Sequence, residues 1–122
     1  MYAPPPMINL VVIRSADIEI AERFYSSLGL LFGKEKHGNG PEHYASCVDG
    51  FVFEIYPLKE NETPTTSVRL GFEIDTVDGY IPEVSKLGGT VETRPYDSPW
   101  GRRSVIKDPD GHTIELVCKN GT

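Results

Sequence analysis

One order of elements, strand, helix, strand, strand, strand, can be read twice along this chain, and that repetition constrains the fold more than any other feature. Residues 8–14 (INLVVIR) form a β-branched run that predicts a strand. Ser15, Ala16 and Asp17 then offer capping chemistry, and Ile18, Ala21, Phe24, Tyr25 and Leu28 recur at helical spacing. Gly29 stands where a helix C-terminus takes a left-handed residue. Residues 30–36, 43–48 and 51–58 follow as strands, the last two joined by an Asp49-Gly50 hairpin turn.

The pattern restarts after a polar stretch. Residues 68–74 (VRLGFEI) alternate as a strand does, and Val77, Tyr80, Ile81, Val84 and Leu87 mark a second helix, with Pro82 as a blemish and Gly88-Gly89 as its stop. Residues 90–94 read as a short strand and 95–101 as a loop carrying the only tryptophan. Residues 103–107 and 113–119 read as strands joined by the strong turn sequence Asp108-Pro109-Asp110-Gly111. Superposing Leu28-Gly29 on Leu87-Gly88 gives an offset of 59 residues and sets Leu10 opposite Arg69. Identity between the halves is negligible, so the repeat rests on element order. The expected fold is α+β, with two βαβββ modules.

At 122 residues, one hydrophobic core is about what the chain can bury. The expected organisation is a leader at 1–7, disordered or polyproline-like, and a single domain at 8–122. Within it, module one spans 8–58, a linker 59–66 and module two 67–118. The leader has three prolines but neither a basic nor an apolar segment, so it does not read as a signal peptide. Cys47 and Cys118 lack metal or redox spacing, which predicts buried free thiols and a reducing cytoplasm. A formal charge of -6 argues against nucleic acid or an anionic membrane as partner, since both call for a cationic face.

Strand alternation sorts each strand into two faces. Phe51, Phe53 and Ile55 share one face, and Val52, Glu54 and Tyr56 the other; Ile114 and Leu116 oppose Glu115; Leu70, Phe72 and Ile74 oppose Arg69, Gly71 and Glu73. The first face in each strand is the one a helix would cover. The second carries isolated charges in apolar company.

Two segments resemble a known family. Residues 17–29 (DIEIAERFYSSLG) look like the helix that opens vicinal oxygen chelate domains, and residues 108–116 (DPDGHTIEL) look like their closing hairpin. Trp100-Gly101 also occurs in many relatives of this glyoxalase/bleomycin-resistance/dioxygenase superfamily. The resemblance spans roughly residues 8 to 118. It implies strands curled into an open cup between modules, a small-molecule ligand there, and a homodimer. Metal-dependent members hold a divalent ion on inward residues of the first, fourth, fifth and eighth strands, which match Leu10, Glu54, Arg69 and Glu115.

Leucine has no donor, and guanidinium stays protonated at ordinary pH, so two of those four positions cannot ligate an ion. The expectation is therefore no metal and no cofactor, with Arg69 paired to Glu54, Glu115 or both in place of the ion's charge. The plain alternative is an arginine that reaches solvent beside exposed glutamates. The expected ligand-binding set is Leu10, Val12, Glu54, Tyr56, Arg69, Trp100, Arg103 and Glu115. His37 and His43 read as surface histidines near a loop, His112 as part of the covered hairpin, and Glu73 as a rim residue. Arg102 and Arg103 are adjacent, so only one can face the cup.

Three functions stay open at this point: a metal-free small-molecule-binding protein, a superfamily enzyme (lyase, isomerase or dioxygenase) with a misplaced metal site, and a metal-free enzyme with Glu54 or Glu115 as general base. A neighbouring cation lowers a carboxylate's basicity and counts against the third. No Gly-rich phosphate loop, serine nucleophile elbow or CxxC pair is visible.

Overall fold

The structure, a computed structural model, describes residues 3–119. Its elements are β1 (Leu10–Ser15), α1 (Ile18–Ser27), β2 (Gly33–Glu35), β3 (His43–Val48), β4 (Phe51–Pro57), β5 (Arg69–Glu73), α2 (Val77–Lys86), β6 (Thr90–Ser98), β7 (Gly101–Lys107) and β8 (Thr113–Cys118). They form two four-stranded sheets, ordered β1-β4-β3-β2 and β5-β8-β7-β6, each with a parallel first pair and antiparallel remainder. This is the doubled βαβββ α+β architecture that the element order predicts.

The 59-residue offset reappears in the details. The helices begin on Asp17 and Thr76, whose side chains accept backbone N–H bonds from the first turn. Gly29 (φ 108°) and Gly88 (φ 94°) end them in the left-handed region that side chains with a Cβ avoid. Pro82 is accommodated inside α2.

Both modules feed one core. Ile13, Ala21, Phe24, Tyr25, Phe53 and Ile55 of the first are buried in one cluster with Val77, Val84, Ile106, Ile114 and Leu116 of the second. The Tyr25 ring lies 5.0 Å from Phe53 and 6.1 Å from Phe72, and so bridges the sheets. Each buried valine, leucine, isoleucine or phenylalanine among them contributes about 1.5–3 kcal/mol on leaving water.

The Asp108 turn is the polar counterpart of this core. Asp108 Oδ1 accepts the backbone N–H groups of Asp110, Gly111 and His112 at 2.9–3.0 Å, which folds the turn. Its Oδ2 accepts the Tyr25 hydroxyl at 2.6 Å and His112 Nδ1 at 2.8 Å. His112 Nε2 meets Thr65 Oγ1 at 2.7 Å, and that oxygen accepts the Arg14 N–H at 2.9 Å. The closing hairpin motif therefore ties both modules and their connecting segment together. His112, fully buried, has the structural role that the sequence suggests.

Some boundaries differ from expectation. β6 continues through 95–98, which composition marks as loop, and Tyr96, Asp97 and Ser98 pair with Arg103, Arg102 and Gly101. Pro95 is tolerated because β6 is an edge strand and the register shifts between Thr93 and Tyr96, where no ladder N–H is needed. β1 begins at Leu10, and β2 is confined to three residues. Of the expected leader, Met1 and Tyr2 lie outside the described residues, and 3–7 carry no helix or strand. Cys118 is buried, but Cys47 is exposed, because strand alternation turns it away from the core; both are free.

Candidate functional site

The open face of the second sheet carries a charged cluster. Strand β5 pairs with β8 so that Gly71 stands opposite Glu115, and β7 sets Val105 on its other side. The Glu115 carboxylate is held between two guanidiniums: Arg69 Nε donates to Oε2, and Arg103 Nη2 donates to Oε1. Arg103 Nη1 donates to the Tyr96 hydroxyl at 2.7 Å. Arg103 and then Arg69 hold the Glu115 carboxyl below its usual range, against a smaller opposing effect of burial. A carboxylate so held is a poor proton acceptor. Arg102 points the other way, to Asp78 and Asp97, as adjacency in a strand demands.

A cavity of about 470 Å³ opens on this cluster, lined by Gly71, Phe72, Glu73, Trp100, Arg103, Glu115, Val117 and Lys119. Trp100 occupies the turn between β6 and β7, 68% exposed, its N–H held by Ser98 Oγ. Glu73 sits at the rim, 3.4 Å from Lys119 Nζ. Gly71 and Phe72 also line two smaller clefts shared with Phe51 and Phe53 of module one. The trough thus runs from the charged cluster across the edge strand β5 toward the first sheet.

The sequence-chosen residues divide between the two sheets. Trp100, Arg103 and Glu115 line the large cavity, and Arg69 reaches it through Glu115 while lining one of the smaller clefts. Leu10, Val12, Glu54 and Tyr56 lie on the equivalent face of the first sheet and do not line that cavity. Among the described residues Arg69 pairs with Glu115 and not with Glu54, whose ion-pair contact is His43 Nε2 at 3.6 Å.

His43 corrects the surface assignment. It is 1% exposed, because the same alternation that aims Glu54 and Tyr56 at this face aims His43 between them and β2. Its ring stacks on Tyr56 with centroids 4.1 Å apart and planes within 10°. His37 remains exposed. Sequence reading also misses Tyr96 and Lys119. Tyr96 would have emerged had 95–98 been read as strand, since cross-strand pairing then sets it against Arg103.

Two of the four positions that the resemblance matches to ion ligands, Leu10 and Arg69, offer no donor to an ion. Leu10 presents hydrocarbon, and the Arg69 guanidinium already occupies the Glu115 carboxylate that a cation would need.

Comparisons agree with this architecture. The Glyoxalase/Bleomycin resistance protein/Dioxygenase superfamily profile matches residues 7–116. An uncharacterized protein of Mycolicibacterium smegmatis is 25% identical over 107 residues, covering 88% of this chain and 89% of that one. TnmS3, an antibiotic binding protein from a Streptomyces species, superposes with a TM-score of 0.70 at 24% identity, over 96% of this chain and 98% of its own. A glyoxalase/bleomycin resistance protein/dioxygenase family enzyme from Burkholderia phytofirmans gives 0.69 at 20% identity, over 90% and 96%. With a doubled βαβββ fold and a superfamily profile matching nearly its whole length, the chain belongs to the glyoxalase/bleomycin resistance/dioxygenase superfamily.

Proposed function

We propose that residues 8–122 act as one unit that binds a small organic ligand in the cup, without a metal at the superfamily's ligand positions. The observation that carries this is the Arg69-Glu115-Arg103 cluster opening on a cavity with Phe72, Trp100 and Val117 as apolar walls. Such a site, apolar with a few convergent polar groups, suits a compact organic molecule. The cluster has one more cation than anion, so the complementary ligand group is an oxygen acceptor such as a carboxylate or phenolate. That this fold serves an antibiotic binding protein supports the reading as precedent only.

A thermal-shift screen of natural products and xenobiotics tests it. At least one compound should stabilise the wild type, and Arg69→Ala should bind that compound roughly 10- to 100-fold more weakly, the worth of a charge-assisted hydrogen bond. A panel without a stabilising compound, or equal responses from both proteins, would sink the reading.

We further propose a homodimer. Ile8, Leu10, Phe51 and Val68 are large apolar side chains left exposed near the starts of β1, β4 and β5. A partner's surface over them accounts for such an apolar patch. Light scattering at micromolar concentration should give twice the chain mass, and a monomer there would refute the assignment. Two unpaired cysteines support a reducing cytoplasm as the setting. Among the described residues no helix is long and apolar enough to cross a membrane.

A further inference from the structure

We infer that module one carries a transition-metal site of its own, built on Glu35, His37 and His43 with Glu54 beside it, and that the ion it takes is zinc-like. This goes beyond the cup reading and uses side chains from β2, β3, β4 and the loop after β2. The register that pairs Glu35 with His43 puts both on one face of the first sheet, and Glu54 projects from the neighbouring strand on that face.

The His43 ring is fixed before any ligand arrives. Tyr56 stacks on one side of it, and its Nδ1 lies 3.2 Å from the Pro41 carbonyl oxygen. A carbonyl can only accept, so Nδ1 carries a proton, and in the neutral ring Nε2 is the nitrogen left to ligate. Nε2 is buried and has no hydrogen-bond partner. Around it stand Glu35 Oε1 at 3.4 Å and Glu54 Oε2 at 3.6 Å, both acceptors when ionised. His37 Nε2 lies 3.3 Å from the same Glu35 oxygen. One ligand atom from each of Glu35, His37 and His43 lies within 4.8 Å of the others.

A buried Nε2 lone pair beside carboxylate oxygens is unfavourable unless a cation lies between them, and here Glu35 and His37 stand at the exposed mouth of the cluster. The two spacings to Glu35 Oε1, 3.3 Å from His37 and 3.4 Å from His43, fit a cation. Tetrahedral zinc, with nitrogen and oxygen ligands at about 2.0–2.1 Å, separates neighbouring donors by roughly 3.3–3.4 Å. Two imidazoles among the donors select a transition metal over magnesium or calcium, which prefer all-oxygen shells. A second proton on Nε2 is the competing way to satisfy His43, and the experiment separates the two.

Full-length protein, stripped with chelator, is titrated with zinc alone by calorimetry, and with cobalt(II) followed by visible absorption. The expected result is one ion per chain, bound at roughly micromolar strength or tighter, with the intense bands of tetrahedral cobalt. His37→Ala, at an exposed position that spares the core, should weaken binding at least about tenfold, and His43→Ala more. Glu83→Gln on α2 should leave it unchanged. Absence of saturable binding up to roughly millimolar zinc would overturn this inference alone and leave the cup reading standing. So would equal binding by both histidine variants, or nitrogen NMR showing His43 Nε2 protonated with zinc present. Uptake that survives His37→Ala but is lost in Glu115→Gln would place the ion in the cup and sink both readings.

Discussion

Asp108→Ala is expected to destabilise the protein by about 4 kcal/mol, because it strands the buried Tyr25 hydroxyl and the buried His112 Nδ1 at about 1–3 kcal/mol each and also releases three backbone N–H groups of the turn. For a domain of this size, that corresponds to a drop of roughly 15 °C in Tm. Thermal and urea unfolding followed by circular dichroism would measure it, and a loss below about 1 kcal/mol would show that the motif is dispensable for folding. Tyr25→Phe removes only one partner and should cost about 1 kcal/mol.

The same network sets a pH signature. Burial alone would push the Asp108 carboxyl up, but hydrogen bonds from His112 and Tyr25, together with the His112 charge and backbone N–H, hold it below the ordinary value. A carboxyl with a lower folded than unfolded value stabilises fully above the unfolded value of about 4, and the contribution is lost as pH falls through the folded value. Burial first, and then Asp108, push the Tyr25 hydroxyl well above its ordinary value. Its contribution is therefore complete below about pH 10 and disappears as pH rises through the folded value. Stability should accordingly form a plateau between those limits, with an acid limb that flattens in Asp108→Asn.

Gly71→Val should abolish ligand binding, by at least about 100-fold or 2.7 kcal/mol, while leaving Tm nearly unchanged. Gly71 lines the large cavity and both adjoining clefts, so a branched side chain there narrows the trough where its branches meet. The nearest atom to an added Cβ is the Glu115 carbonyl oxygen at 4.0 Å, which is ordinary contact. The first module already shows that valine fits: Val12 pairs with Glu54 as Gly71 pairs with Glu115. Equal ligand affinity for wild type and variant, measured by calorimetry with any compound the screen yields, would show that the trough is not where the ligand sits.

The glycine also marks where the two modules differ in shape. In the first sheet Val12 stands at the equivalent position, and Glu35, Glu54 and Tyr56 gather around His43. In the second, Gly71 leaves a hollow, and the glutamate turns to two arginines instead.

Local pattern alone was enough for the element order, the cap of the first helix, the glycine stops of both, the two faces of the strands at 51–58, 68–74 and 113–119, and the opposite aims of Arg102 and Arg103. These follow from periods of 3.6 and 2 and from turn chemistry, which act between near neighbours in the chain. Tertiary pairing decided the rest. Whether Arg69 meets Glu54 or Glu115 depends on which sheet its strand joins, and β5 pairs with β8. His43 reads as a surface residue until the β2-β3 register brings Glu35 across from it and β4 stacks Tyr56 on its ring. No spacing along the chain encodes such a meeting, because hydrogen-bonded register, set by the packing of both sheets on one core, determines which distant side chains become neighbours.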